Sequence, residues 1–156
     1  MEIDKIIRTE NIIFDFEAKS RDEVIQKIVD KLNTNNNLLN KDKVFQGYLK
    51  REEEGTTGFG KGIAIPHCKS CYIKNPEVII ISLINDVDWA ALDNENVKYI
   101  IGLAIPEAQS GNMYLSLLGA LASKLMEDDF VDNLLNIKDK NILVNYLKRN
   151  IQEELK

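Results

Sequence analysis

Two segments of this chain, Glu77 to Ile84 and Val97 to Ile105, are apolar at successive positions rather than at alternate ones. An extended strand points neighbouring side chains to opposite faces, so a strand that is apolar throughout needs cover on both. The sheet therefore has to lie between two layers. Both layers are legible in the flanking sequence. Ser20-Arg-Asp-Glu23 is a capping box that opens a helix with Val24, Ile25, Ile28, Val29 and Leu32 on one face. That helix ends in Asn33-Thr-Asn-Asn-Asn37, and Asn40 caps a second carrying Val44, Phe45, Tyr48 and Leu49, which runs out near Arg51 to Glu54. Beyond the strands lie further helical patterns: Leu115, Leu118, Leu121, Ala122 and Leu125, then Phe130, Leu134 and Leu135, then Ile142, Leu143, Tyr146 and Leu147.

Ile12 to Phe16 supplies a first strand, and Gly62 to Ile65 a short one ahead of the two apolar segments. A strand, two helices, three strands and then helices predict an α/β protein with a three-layer α/β/α arrangement, not a strict βαβ alternation. With 156 residues, 44% of them hydrophobic, the chain is expected to be a single domain over 1–156 with one substantial core.

Charge narrows the function. Twenty Lys and Arg against 25 Asp and Glu leave a net charge of −5 without a basic block, which argues against nucleic acid and against anionic membrane surfaces. No apolar stretch approaches the ~20 residues that span a bilayer, and the first residues lack the order of a signal peptide. The expectation is a cytoplasmic protein with no direct membrane insertion. In a reducing cytosol Cys68 and Cys71 are expected as thiols.

The chain has one histidine, His67, at the end of the run Arg51-Glu-Glu-Glu-Gly-Thr-Thr-Gly-Phe-Gly-Lys-Gly-Ile-Ala-Ile-Pro-His67. Within it, Gly55 to Lys61 fits the start of a nucleotide-binding P-loop, G-x-x-x-x-G-K. Two features reject that reading. The position that should offer a hydroxyl to Mg²⁺ is Gly62, and the loop leads from a helix into a strand, the reverse of a P-loop. Cys68-Lys-Ser-Cys71 has the spacing of a thiol redox motif, which keeps a thiol oxidoreductase in view, but three Cys and His residues in total are too few for a structural zinc. No metal or other cofactor is expected. Pro66 fixes its own φ and holds Ile65 extended, so the imidazole is projected from a rigid support. Near neutral pH such a ring is mostly uncharged and can attack through one nitrogen.

These residues carry a resemblance. Arg51-Glu52 followed by Gly55 to His67 resembles the active-site motif of the mannitol/fructose-type enzyme IIA domains of the bacterial sugar phosphotransferase system. The likeness continues in Trp89-Ala-Ala-Leu-Asp93, Val97, Ala104-Ile-Pro-Glu107, Leu115-Ser-Leu-Leu118 and Leu125-Met-Glu-Asp-Asp-Phe130, which resemble the fructose branch in particular. The resemblance implies a mixed sheet between helix layers. It also implies a phosphotransferase in which His67 takes a phosphoryl group onto Nε2 from the phosphohistidine of HPr and passes it to a cysteine of enzyme IIB, the partner of membrane enzyme IIC. Arg51, Thr57, the N–H groups near Gly58 and Tyr114 are the expected phosphate-orienting groups, and Phe59 is an expected contact for HPr. Tyr114 stands where many relatives carry a second histidine. That departure leaves room for a regulatory module in which phosphorylation of His67 is a signal.

Overall fold

The two apolar segments form the centre of the sheet. In the computed structural model, β5 (Glu77–Val87) and β6 (Val97–Pro106) pair antiparallel, with Val78 opposite Leu103 and Ile80 opposite Ile101. The structure describes residues 2–109 and 111–156, and side chains at all of these except 109 and 111–114. On the far side of β5 lies β1 (Ile12–Phe16), parallel to it. On the far side of β6 lie β3 (Ile63–Ala64) and β4 (His67–Ser70), both parallel to β6, and β2 (Gly58–Gly60) closes a hairpin onto β3. The described residues thus build a six-stranded mixed sheet.

Its two faces divide the core as the sequence requires. Val78, Ile80, Ile101, Leu103 and Ile105 pack under α4 (Gly111–Leu125), α5 (Asp128–Asn136) and α6 (Lys140–Glu154), against Leu117, Leu121, Leu125, Phe130, Leu134, Leu143 and Leu147. Ile79, Ile81, Ile100 and Ala104 face the other way, under α2 (Arg21–Thr34) and α3 (Lys41–Glu54). The fold is α/β with a mixed sheet flanked by helices. Each fully buried aliphatic side chain contributes about 1.5–3 kcal/mol relative to exposure, so the doubly covered strands β5 and β6 dominate stability.

The expected caps are in place: Ser20 Oγ accepts from the Glu23 N–H at 3.2 Å, and Asn40 Oδ1 from the Lys43 N–H at 3.1 Å. Two expected core residues are on the wrong side of their helices. Leu115 is 67% exposed and Ile142 59% exposed. The buried stripe of α4 runs through Leu117, Leu121 and Leu125, roughly 200° around from Leu115, and that of α6 through Leu143, Val144, Leu147 and Ile151.

Helix α3 sits unusually close to the sheet. A Cβ on Gly47 would lie 2.7 Å from Cys68 Sγ, so only glycine allows this approach. Tyr48 of the same helix, fully buried, donates its hydroxyl hydrogen to Leu103 O at 2.7 Å. These contacts fix the middle of α3 against β4 and β6.

At the start of β5, Glu77 is 3% exposed and accepts from Asn11 Nδ2 at 3.1 Å, Asn35 Nδ2 at 3.0 Å and Asn37 Nδ2 at 2.7 Å, and from Arg8 Nη2. A cavity of about 580 Å³ opens beside this cluster, lined among others by Arg8, Asn35, Asn37 and Glu77. The cluster ties a four-residue helix, α1 (Ile3–Ile6), and the end of α2 to the sheet.

Candidate functional site

The glycine-rich run folds as a hairpin. Lys61 and Gly62 have φ of 61° and 79°, the paired positive values of a two-residue type I′ turn between β2 and β3. No phosphate-cradling loop followed by a helix exists there. The turn is tethered on both sides: Asp93 Oδ2 accepts from the Lys61 N–H at 3.1 Å, while Lys61 Nζ donates to Leu125 O at 3.1 Å and Asp128 Oδ1 at 2.7 Å. Phe59 is half-buried and packs on the Leu/Ile core beneath α4 to α6, a packing role that leaves less of the ring for a partner than the sequence suggested.

The expected strand Gly62 to Ile65 is part of a longer path. Ile63 and Ala64 pair with Tyr99 and Ile100, and His67 and Cys68 pair with Leu103 and Ala104, so the register on β6 survives the interruption at Ile65-Pro66. Pro66 has no N–H to give, but its carbonyl accepts from the Leu103 N–H at 2.9 Å. His67 therefore opens a strand rather than ending one. Polar His-Cys-Lys-Ser is hard to read as a strand because it lacks the apolar pattern.

The imidazole is held at both nitrogens. Nδ1 lies 2.8 Å from Ile65 O, and Nε2 lies 3.1 Å from Arg51 Nε. A carbonyl only accepts and a guanidinium only donates, so Nδ1 carries the ring proton and Nε2 presents its lone pair. Burial lowers the His67 pKa below the ordinary 6.5, the Ile65 hydrogen bond opposes this, Arg51 lowers it further, and the charges of Glu52 and Glu54 raise it. The result near neutrality is a neutral ring in one tautomer with Nε2 as the nucleophilic nitrogen.

A stability consequence follows from the sign of this shift. Between the ordinary value of 6.5 and the lower folded value, the unfolded chain binds a proton on this ring and the folded chain does not. The wild type therefore loses stability on acidification through that window relative to a His67→Gln variant, and keeps it unchanged above about 7. Urea midpoints of both proteins at pH 7.5 and pH 5 check this; equal losses in the two would refute it.

Arg51 reaches the ring from the last turn of α3, four residues beyond Gly47 and so on the face that packs against β4. Its Nη1 donates to Gly55 O at 2.7 Å, strapping the helix end to the loop. The other expected phosphate-orienting groups are engaged elsewhere. The Thr57 hydroxyl, buried, donates to Glu52 Oε2, and the Gly58 N–H donates to Thr56 Oγ1 at 3.0 Å. A Cβ on Gly58 would fall 2.7 Å from Ala91 Cβ, so this glycine serves close packing against the Asp88 to Ala91 segment. The side chain of Tyr114 lies outside the described residues. Cys68 is buried with its thiol pushed up to about 12 by desolvation, while Cys71 is exposed beyond the end of β4. A thiolate at Cys68 is disfavoured near neutral pH.

The sequence motif places Glu52 beside Arg51 without assigning it a role. It is 6% exposed, and its carboxylate accepts from the Thr57 N–H at 3.0 Å, from Trp89 Nε1 at 3.1 Å and from the Thr57 hydroxyl. The signal was present: Val44, Tyr48 and Glu52 are spaced i, i+4 and i+8, which puts a carboxylate on the buried stripe of α3.

Comparison with known proteins bears on this arrangement. Residues 5–150 match the family model described as phosphoenolpyruvate-dependent sugar phosphotransferase system, EIIA 2. The chain is 33% identical over 107 residues to the fructose-specific EIIA component of Haloferax volcanii, which covers 69% of each chain. It is 26% identical over 149 residues to the fructose-specific EIIABC component of Bacillus subtilis, covering 96% of this chain but only 23% of that longer protein. Among solved structures, the nitrogen regulatory protein IIA-Ntr from Neisseria meningitidis superposes with a TM-score of 0.84 at 26% identity, covering 92% of this chain and 97% of the other. The mannitol enzyme IIA of Escherichia coli, solved in complex with phosphorylated mannitol enzyme IIB, shares the fold with a TM-score of 0.70 at 18% identity, covering 92% and 95%.

Proposed function

The chain belongs to the type-2 enzyme IIA family of the phosphoenolpyruvate-dependent sugar phosphotransferase system, and we propose that His67 is its phosphoryl acceptor. The observation that carries this is the double hold on the imidazole, Nδ1–H to Ile65 O and Nε2 toward Arg51, which fixes the nitrogen and the tautomer that attack requires. Phosphoryl transfer asks little covalent chemistry of a protein beyond a placed nucleophile and compensation of the phosphate charge. Arg51 Nε occupies the position in front of Nε2, so on docking of a phosphohistidine donor its guanidinium shifts from the ring to the phosphoryl oxygens, where it offers planar paired donors. Thr57 and Gly58 act on the loop that carries the site, and the Tyr114 phenol remains the candidate for a further phosphate donor group.

The donor is HPr and the acceptor a cysteine of an enzyme IIB working with membrane enzyme IIC. The solved pairing of a relative with phosphorylated enzyme IIB supports this choice of partner class. A fructose-like sugar is the leading assignment, supported by the fructose-specific relatives. No described helix is long and apolar enough to cross a membrane, and we read the chain as one cytoplasmic domain over 1–156. A second reading, in which phosphorylation of His67 is a regulatory signal, has its own support in the likeness to a nitrogen regulatory protein.

One experiment separates them. Incubated with phosphoenolpyruvate, enzyme I and HPr, the protein should gain an acid-labile, alkali-stable phosphate. Passing it on to members of a panel of purified IIB domains favours transport, whereas retention against every member favours regulation. Failure to gain phosphate at all overturns both.

A further inference from the structure

We infer that Glu52 is a positioning residue for phosphoryl transfer: its buried carboxylate pins the site loop beside Arg51 and His67, and its charge balances the imidazole ring once Nε2 carries phosphate. The inference rests on the reading of His67 as acceptor.

Three segments meet at this one carboxylate. Glu52 belongs to the last turn of α3, Thr57 to the loop before β2, and Trp89 to the connection between β5 and β6. All are buried: Thr57 is 4% exposed and Trp89 1%. The three groups that meet the carboxylate, an amide N–H, a hydroxyl and an indole N–H, are neutral donors. The negative charge is therefore solvated by protein without being cancelled by a paired cation among these contacts, and its field is available to nearby groups. The adjacent residue, Arg51, holds Nε2, and the peptide that joins Thr57 to the strand is itself clamped, since Thr57 O accepts from the Ile65 N–H at 3.0 Å. Glu52 thus sets the position of Thr57, Thr57 that of Ile65, and Ile65 O that of the Nδ1 proton.

The charge matters because of how the transfer balances. The Nε2 lone pair forms the new N–P bond while the P–N bond of the donor breaks and its electron pair returns to the donor imidazole. Nδ1 keeps its proton, so the phosphorylated His67 ring is formally cationic. When a thiolate attacks the phosphorus in the next step, the N–P pair returns to Nε2 and the ring is neutral again. A buried anion on the residue next to Arg51, which itself contacts the ring, favours the cationic, phosphorylated form. The charged groups acting on the ring are Arg51, Glu52 and Glu54; Arg51 opposes the ring's positive charge and the two glutamates favour it. Of the glutamates, Glu52 is buried and Glu54 exposed, so solvent weakens Glu54 most.

The test exploits the single histidine, whose ring protons give one unambiguous set of NMR resonances. Glu52→Gln keeps the shape and removes the charge. It should titrate at lower pH than the wild type and shift the uptake equilibrium with phosphorylated HPr roughly tenfold toward HPr. Trp89→Phe removes one donor and keeps the charge; it should slow uptake roughly ten- to a hundredfold while leaving the equilibrium near that of the wild type. Glu52→Gln with the wild-type titration and equilibrium overturns the charge role. Trp89→Phe with the wild-type rate overturns the positioning role, whether or not the Gln variant folds. A wild type that never takes phosphate instead removes the underlying reading, an outcome distinct from either.

Discussion

A His67→Gln protein is expected to fold and to take up no phosphate from HPr. The amide oxygen of glutamine can accept the Arg51 N–H that Nε2 now accepts, so the site keeps its polar pairing. What disappears is the proposed nucleophile, because the lone pair of an amide nitrogen is delocalised into its carbonyl. Removal of an attacking atom costs on the order of 10⁶-fold in rate elsewhere, enough to put uptake below detection. His67→Ala is a poorer choice of variant. The ring is 5% exposed, and its loss leaves the Arg51 N–H and Ile65 O without this partner at about 1–3 kcal/mol each where buried. Acid-labile phosphate on the Gln protein, measured by intact mass before and after acid treatment, would remove the acceptor assignment, since the chain contains no second imidazole.

The largest stability effect is expected at Glu77, far from the loop in sequence. Glu77→Ala strips a buried carboxylate from Arg8, Asn11, Asn35 and Asn37 in one step. Breaking a buried charged cluster by deleting one member costs about 3–5 kcal/mol, because the remaining groups stay desolvated. The Arg8 side chain is 34% exposed and water reaches it, which places the effect toward the lower end of that range. Glu77→Gln retains an acceptor oxygen and should lose about half as much, given that hydrogen bonds to charged groups are worth about 1.5–3 kcal/mol. Urea unfolding monitored by circular dichroism gives both values. A Glu77→Ala midpoint equal to the wild type would mean that the cavity beside the cluster lets water replace the carboxylate.

How far the sequence foretold these features depends on the range of the interaction. Layering was legible because it is written in adjacent residues: Val78 to Ile81 and Ile100 to Ile105 leave no polar face, and a sheet so built must be covered twice. Ser20 and Asn40 were legible as caps for the same reason, their partners being three residues away. The phase of a helix is less secure, since several apolar residues in a row fit more than one stripe, and Leu115 and Ile142 were lost that way. Strands β2 and β4 were not legible at all. Glycines and polar residues that pair through backbone alone leave no alternation to read. In the site, the placing of His67 by proline could be argued from the chain, but the partner of each ring nitrogen could not. Arg51 meets Nε2 only because Gly47 brings α3 down onto Cys68, a contact between segments. The Glu77 cluster joins three separate stretches, around residues 8–11, 35–37 and 77, and is invisible to any local pattern.

The break at Ile65-Pro66 has one more consequence. Among the described residues β4 pairs with β6 on one side alone, so its other edge is a sheet margin of the kind that can recruit strands from foreign chains and seed aggregates. Here that margin is four residues long, preceded by a residue with no amide hydrogen and interrupted by the exposed Lys69. A neighbouring chain would find too few consecutive backbone groups to template on, and a cation to bury. The proline that precedes His67 thus also guards the sheet, allowing the imidazole to stand at an open border without making that border sticky.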